Sequence, residues 1–374
     1  IQIKVLHTPG HTMESSCFLL INEAGQEKAI FTGDTLFIGD VGRPDLAQHV
    51  IADLTQEKLA AYLYDSLRSK IMPLNDDLIV YPGHGAGSAC GKNLSKERFD
   101  TLGNQKRTNS ALRDGLSKED FIKELLTGLT KPPAYFPQNV LMNIRGYDSI
   151  EKVMERGTKA LSAVELELMV EDLNVVIIDT RSSEQFAKGF IPGSINIGID
   201  GNFAVWVGTL VPNVLQKIII VAELGREREV ITRLARVGYD YCIGYLDGGF
   251  ESWQNSGKPM DKIPNIKVDE LVHRKMNHQE MNIIDVRKKS EFDSEHLVDA
   301  VNIPLDYINE NMAMIDPKNE YYVHCASGYR SMTFASILKA RGYNNLINVD
   351  GGFQAIKKSN SFPVTAYVCP TTML

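Results

Sequence analysis

The run Tyr322-Val323-His324-Cys325-Ala326-Ser327-Gly328-Tyr329-Arg330-Ser331 sets four residues, one of them glycine, between a cysteine and an arginine. Apolar Tyr321–Val323 predicts a short strand in front of it, and Met332, Phe334, Ala335, Ile337 and Leu338 predict a helix directly behind. A loop between a strand and a helix N-terminus turns backbone N–H groups inward and favours an anion. Cys325 is therefore a candidate nucleophile and Arg330 its anion partner. Ala326, Ser327, Gly328 and Tyr329 form the loop, with Ser327 and Tyr329 expected to line it.

A second constellation lies near the other end of the chain. Strand-like Ile3–Leu6 runs into His7-Thr8-Pro9-Gly10-His11, Ala29–Phe31 into Thr32-Gly33-Asp34, and Leu78–Tyr81 into Pro82-Gly83-His84. Three strands that each end in a glycine-bearing turn gather His11, Asp34 and His84 at one sheet edge, a donor set for a divalent metal. Arg43 and Asp45 are expected to pair and brace the pocket, and Cys90, after a glycine-rich turn, is a further candidate for the pocket lining. Ile1–Leu6 reads as an internal strand, so residues upstream of it are expected.

These stretches need separate scaffolds. At 374 residues the chain is long enough for two or three cores. Its 43% hydrophobic and 23% charged content is that of a globular protein. A net charge of −7 argues against a nucleic-acid or anionic-membrane surface. The five cysteines are scattered and odd in number, which fits thiols in a reducing cytoplasm, and there is no long apolar run to span a membrane.

An internal repeat organises the rest. Val176-Ile177-Ile178-Asp179-Thr180-Arg181 recurs as Ile283-Ile284-Asp285-Val286-Arg287, and Leu246-Asp247-Gly248-Gly249-Phe250 as Val349-Asp350-Gly351-Gly352-Phe353. A period of about a hundred residues means duplicated domains rather than a solenoid. Each copy alternates strands and helices, predicting a small α/β domain with a mostly parallel sheet. Matching Arg226 with Arg330 puts Val221 opposite Cys325; shifting by one puts Ala222 there. Neither is a thiol, and Cys242 lies too far along to replace it. Trp206 and Trp253 of the first copy are expected in its core, and His296 of the second is expected to be structural. The expected domains are 1–147, 148–262 and 263–374, with a strap at Lys131-Pro132-Pro133-Ala134-Tyr135-Phe136-Pro137 whose aromatic residues pack back on the first.

The Cys325 loop resembles that of the rhodanese family, and the resemblance implies a cysteine persulfide that passes sulfane sulfur to a thiophilic acceptor. The loop is shorter than the five-residue cradle of cysteine phosphatases. Asp285 and Arg287 would hold it from beneath. Residues 1 to about 110 resemble the metallo-β-lactamase superfamily, with His11, Asp34 and His84 on its third histidine, bridging aspartate and last histidine. The upstream HxHxDH motif is absent. The implied fold class is α/β: an αββα metallo-β-lactamase sandwich, N-terminally incomplete here, followed by two rhodanese-like domains.

Phe37-Ile38-Gly39-Asp40-Val41-Gly42-Arg43-Pro44-Asp45-Leu46 and Pro82-Gly83-His84-Gly85-Ala86-Gly87-Ser88-Ala89-Cys90-Gly91 look like persulfide dioxygenases. The whole chain resembles the three-domain fusions found with copper-sensing-type sulfur-responsive operons. That resemblance implies one Fe(II) per chain on His11, Asp34 and an upstream histidine, with His84 beside the iron and O2 as co-substrate. It also implies a low-molecular-weight thiol persulfide as substrate, sulfite and thiosulfate as partners, and no nucleic acid or membrane. A homo-oligomer is expected. The alternatives are a zinc thioester hydrolase of the glyoxalase II type, in which His84 binds a second metal, and a sulfur relay with an inert metal domain.

Overall fold

The computed structural model describes residues 1–47, 53–85, 90–91, 94–129, 135–172, 174–277 and 281–368. The chain divides into two compact units, Ile1–Gly146 and Tyr147–Leu374.

The first unit is built on one mixed sheet of β1 (Gln2–His7), β2 (Ser16–Ile21), β3 (Glu27–Gly33), β4 (Ile79–Pro82) and β5 (Asp100–Thr101), in that spatial order. Only β3 and β4 run parallel. Alternation along the strands sends Cys17, Leu19, Ile30 and Val80 into a core closed by α1 (Gln56–Ser66) and α2 (Lys118–Leu126), whose Leu63, Phe121 and Leu125 fill it. On the opposite face Val5, Phe18, Phe31 and Tyr81 stand in one cross-strand row and remain exposed. The parallel β3 and β4 end side by side, which brings Asp34 and His84 together.

Lys131–Ala134 of the expected proline strap lie outside the described residues. Phe136 and Pro137 are not extended as the composition predicts: they open the helix α3 (Phe136–Arg145), because proline in a first helical turn has no amide partner to lose. Tyr135 is buried at its start, edge-on to Phe136.

The second unit contains two five-stranded sheets of the same topology. One is ordered β6 (Ala160–Leu161), β10 (Cys242–Leu246), β9 (Lys217–Val221), β7 (Val175–Asp179), β8 (Ile195–Asn196). The other is ordered β11 (Asn265–Ile266), β15 (Leu346–Val349), β14 (Tyr321–His324), β12 (Asn282–Asp285), β13 (Val301–Asn302). Every pairing in both is parallel, as alternating strands and helices require. Trp206 and Trp253 are buried in the first copy. Among the described residues no helix is long and apolar enough to cross a membrane.

The helices that matter for the sites are α4 (Glu227–Ala235) in the first copy and α5 (Lys289–Ser294), α6 (Tyr329–Ala340) and α7 (Gly352–Ser359) in the second. Helix α6 is buried continuously from Ser331 to Leu338. A helix buried on every side needs partners on every side. Its own sheet covers one face, and β8 with the helix Ser183–Lys188 of the first copy covers another.

Candidate metal centre and persulfide loop

In the first unit the sheet delivers its donors to one point. Asp34 follows β3 directly, His84 follows β4 by one glycine, and His11 sits in the loop after β1. The Asp34 Oδ2 oxygen lies 3.3 Å from His11 Nε2 and 3.4 Å from His84 Nε2. Glycines make the approach possible. A Cβ on Gly83 would fall 2.6 Å from Asp34 Oδ1, and one on Gly42 would fall 1.9 Å from the Asp34 carbonyl oxygen.

Arg43 is the organiser of this site. Its guanidinium is buried and held by Asp45 through Nε to Oδ1 at 2.8 Å and a second bond at 2.6 Å. That pair fixes the backbone, whose carbonyl accepts from His11 Nδ1 at 2.9 Å and whose N–H donates to the Cys90 carbonyl at 2.9 Å. Cys90 is thereby drawn in, and donor atoms of His11, Asp34 and Cys90 all lie within 4.8 Å of one another.

With Nδ1–H committed to a carbonyl, His11 presents a lone pair at Nε2. Burial lowers the pKa of its imidazole against the opposing pull of Asp34, which favours the neutral ring. The His11 Nε2 lone pair facing a carboxylate oxygen is a juxtaposition of acceptors that a cation completes, and His84 Nε2 approaches the same oxygen. The residues present therefore fit a metal ion.

In the second unit β14 carries Cys325 into a loop closed by Gly328, whose φ of 107° is open only to glycine without strain. The Gly328 N–H donates to Cys325 Sγ at 3.1 Å and the Ser331 hydroxyl lies 3.6 Å from the same sulfur. From below, Phe353 N–H donates to the Cys325 carbonyl at 2.7 Å and Gln354 N–H to the Ala326 carbonyl at 3.1 Å. A Cβ on Gly352 would fall 2.4 Å from the Cys325 carbonyl oxygen, so the second glycine of the Asp-Gly-Gly repeat is what lets α7 approach the loop.

Asp285 and Arg287 form a fully buried pair, Nε at 3.0 Å and 2.9 Å from the two carboxylate oxygens, with the guanidinium 4.0 Å from the Phe353 ring centroid. Removing one partner strands the other's charge. Arg287→Ala is expected to destabilise the protein by about 3–5 kcal/mol, and urea denaturation followed by circular dichroism measures it. His296 is structural: Nδ1 meets the Phe292 carbonyl at 2.6 Å and the ring stacks on Phe292.

Two members of the loop turn outward. Arg330 is engaged at both terminal nitrogens by Glu291 of α5, at 2.6 Å and 2.9 Å. The Tyr329 hydroxyl donates to the Gly198 carbonyl of the first copy at 2.7 Å, and a Cβ on Gly201 would lie 2.5 Å from the ring. Burial pushes its phenol up, so it remains a donor. Ser327 is exposed at the loop tip.

Strand register places the first copy's loop. Asp179 pairs with Val221 as Asp285 pairs with His324, so Ala222, and not Val221, stands where Cys325 stands. Gly225, at φ 86°, then matches Gly328, and Glu227 takes the place of Arg330. Arg226 falls opposite Tyr329 rather than Arg330 and pairs with Asp200 and Glu229. The first copy thus lacks both the thiol and the arginine. Burial raises the Cys242 thiol to about 12, and it sits inside β10.

A rhodanese-like domain model matches residues 162–256 and again 268–359. Among solved structures, a metallo-beta-lactamase from Staphylococcus aureus subsp. aureus COL is 35% identical, covering 65% of this chain and 67% of its own, with a TM-score of 0.55. The hydroxyacylglutathione hydrolase GloC of Haemophilus influenzae is 34% identical over 109 residues, 29% of this chain and 40% of its own length. The putative sulfur carrier protein YrkF of Bacillus subtilis is 29% identical over 101 residues, 27% of this chain. The chain spans 40% and 55% of the lengths of these two curated relatives.

Proposed function

Because this chain belongs to the rhodanese-like family through two domains that follow a metallo-β-lactamase-fold unit in the sequence, we propose that it is a persulfide dioxygenase coupled to a sulfurtransferase. The observation that carries this reading is sulfur at both sites: Cys325 Sγ held by a loop N–H at 3.1 Å, and Cys90 within the donor set of His11 and Asp34. The net oxidation is RSSH with dioxygen and water giving RSH, sulfite and two protons.

In the first unit His11 and Asp34 would hold the metal, with Arg43 fixing the His11 ring and Cys90 bordering the place where the persulfide sulfur enters. Iron(II) held there would supply the one-electron chemistry that dioxygen requires. In the second unit the Cys325 sulfur attacks the outer sulfur of a persulfide. The old S–S bond breaks, RSH leaves with the proton, and Cys325 carries the sulfane sulfur. Gly328 N–H and the α6 N-terminus stabilise the negative charge on sulfur during the exchange. Sulfite then attacks that outer sulfur, forming thiosulfate and restoring Cys325.

A second reading has its own observation. His84 approaches the same Asp34 oxygen as His11, as a carboxylate bridging two metals would have it, and GloC is a named hydrolase. That reading is a zinc-dependent thioester hydrolase with an appended sulfurtransferase. Metal analysis and an oxygen electrode separate the two. One iron per chain with dioxygen uptake on adding glutathione persulfide supports the dioxygenase. Two zincs, no uptake and thioester cleavage replace it with the hydrolase.

A further inference from the structure

The arginine that closes the Cys325 loop already holds an anion. Glu291 contributes both carboxylate oxygens to Arg330 Nη1 and Nη2, at 2.6 Å and 2.9 Å, the bidentate geometry in which such pairs are strongest. The contact is sheltered, with the Arg330 side chain 16% exposed and that of Glu291 36%. Glu291 is fixed from its own side as well, accepting the Lys288 N–H at 3.2 Å in the first turn of α5. Burial lowers the Arg330 pKa, but the paired Glu291 carboxylate outweighs it and the net shift is upward, so the guanidinium stays charged.

The other guanidinium under the loop, Arg287, is matched by Asp285. A third carboxylate, Asp350, lies 3.5 Å from where a Gly328 Cβ would stand. Among these loop-supporting side chains carboxylates outnumber guanidiniums, which shifts the task of meeting a donor's charge toward the backbone N–H groups of the loop.

We propose that Glu291 sets the donor specificity of Cys325: by engaging both terminal nitrogens of Arg330 it disfavours thiosulfate, whose two charges sit on the group that enters the loop, and favours an organic persulfide, whose sulfur end carries at most one. This rests on Cys325 being the sulfur acceptor. Glu291 is a positioning residue that acts through Arg330, and it leaves the sulfur chemistry itself to the loop.

The test is the ratio of kcat/KM for thiosulfate to that for glutathione persulfide, with cyanide as the common acceptor, in the full chain and its variants. In Glu291→Gln the amide oxygen keeps the helix cap while the charge is removed. The ratio should rise about tenfold, through a lower KM for thiosulfate at similar kcat. Glu291→Asp, which restores the charge, should return the ratio toward the parent value. An unchanged ratio in Glu291→Gln, or a rise equal in both Gln and Asp variants, overturns the proposal. If the unmodified protein takes sulfur from neither donor, the reading of Cys325 falls, and this inference with it.

Discussion

Cys325→Ser is expected to lower thiosulfate formation by at least about a thousandfold, the scale of losing a covalent nucleophile, while persulfide-dependent oxygen uptake continues. A serine hydroxyl accepts the Gly328 N–H as the sulfur does, so the loop keeps its shape and the loss is chemical. The first copy offers no substitute. Ala222 occupies the equivalent place, and the Cys242 thiol is raised to about 12 by burial within a strand. Mass spectrometry after incubation with glutathione persulfide should find one added sulfur on Cys325 of the parent protein and none in the variant. Simultaneous loss of oxygen uptake would contradict two separate sites.

The other large effect belongs to Asp34. Its Oδ2 is the single atom shared by His11 and His84, so Asp34→Ala removes the anionic centre of the donor set and leaves two imidazoles without a common partner. Metal affinity is expected to fall more than about a hundredfold, beyond the range found for groups that only orient a ligand. Elemental analysis after gel filtration measures it, and oxygen uptake should vanish with the metal. Cyanide-dependent sulfur transfer through Cys325 should persist. Full metal retention in the variant would remove His11 and Asp34 from the proposed centre.

Why these residues were visible in the sequence, and others were not, has a physical explanation. His11, Asp34 and His84 each sit just past an apolar strand, so a local pattern reveals them and parallel neighbours bring two of them together. The Asp-x-Arg and Asp-Gly-Gly-Phe repeats were legible because buried pairs and close backbone approaches tolerate few residue types. The register of the first copy's loop was not. Sequence matching on Arg226 is off by one, since an arginine can reach its carboxylates from either position, whereas strand pairing fixes Ala222 opposite Cys325. Glu291 was missed for a different reason. It meets Arg330 from a separate helix, and its only local sign is a position in the first turn of α5, which fits an ordinary cap. Arg43 was read as a pocket brace; its backbone role, joining His11 to Cys90, is invisible without the fold.

The continuous burial of α6 has a consequence for the order in which the chain is made. Synthesis releases the first copy before the second, at about 5–20 residues per second. The Gly198 carbonyl and the face of β8, where Ser336 Oγ accepts the Asn196 N–H at 2.9 Å, are therefore in place before α6 emerges. The helix that follows the Cys325 loop thus emerges after the face that covers it. The thiol-free first copy supplies part of the surface against which the second copy completes its core.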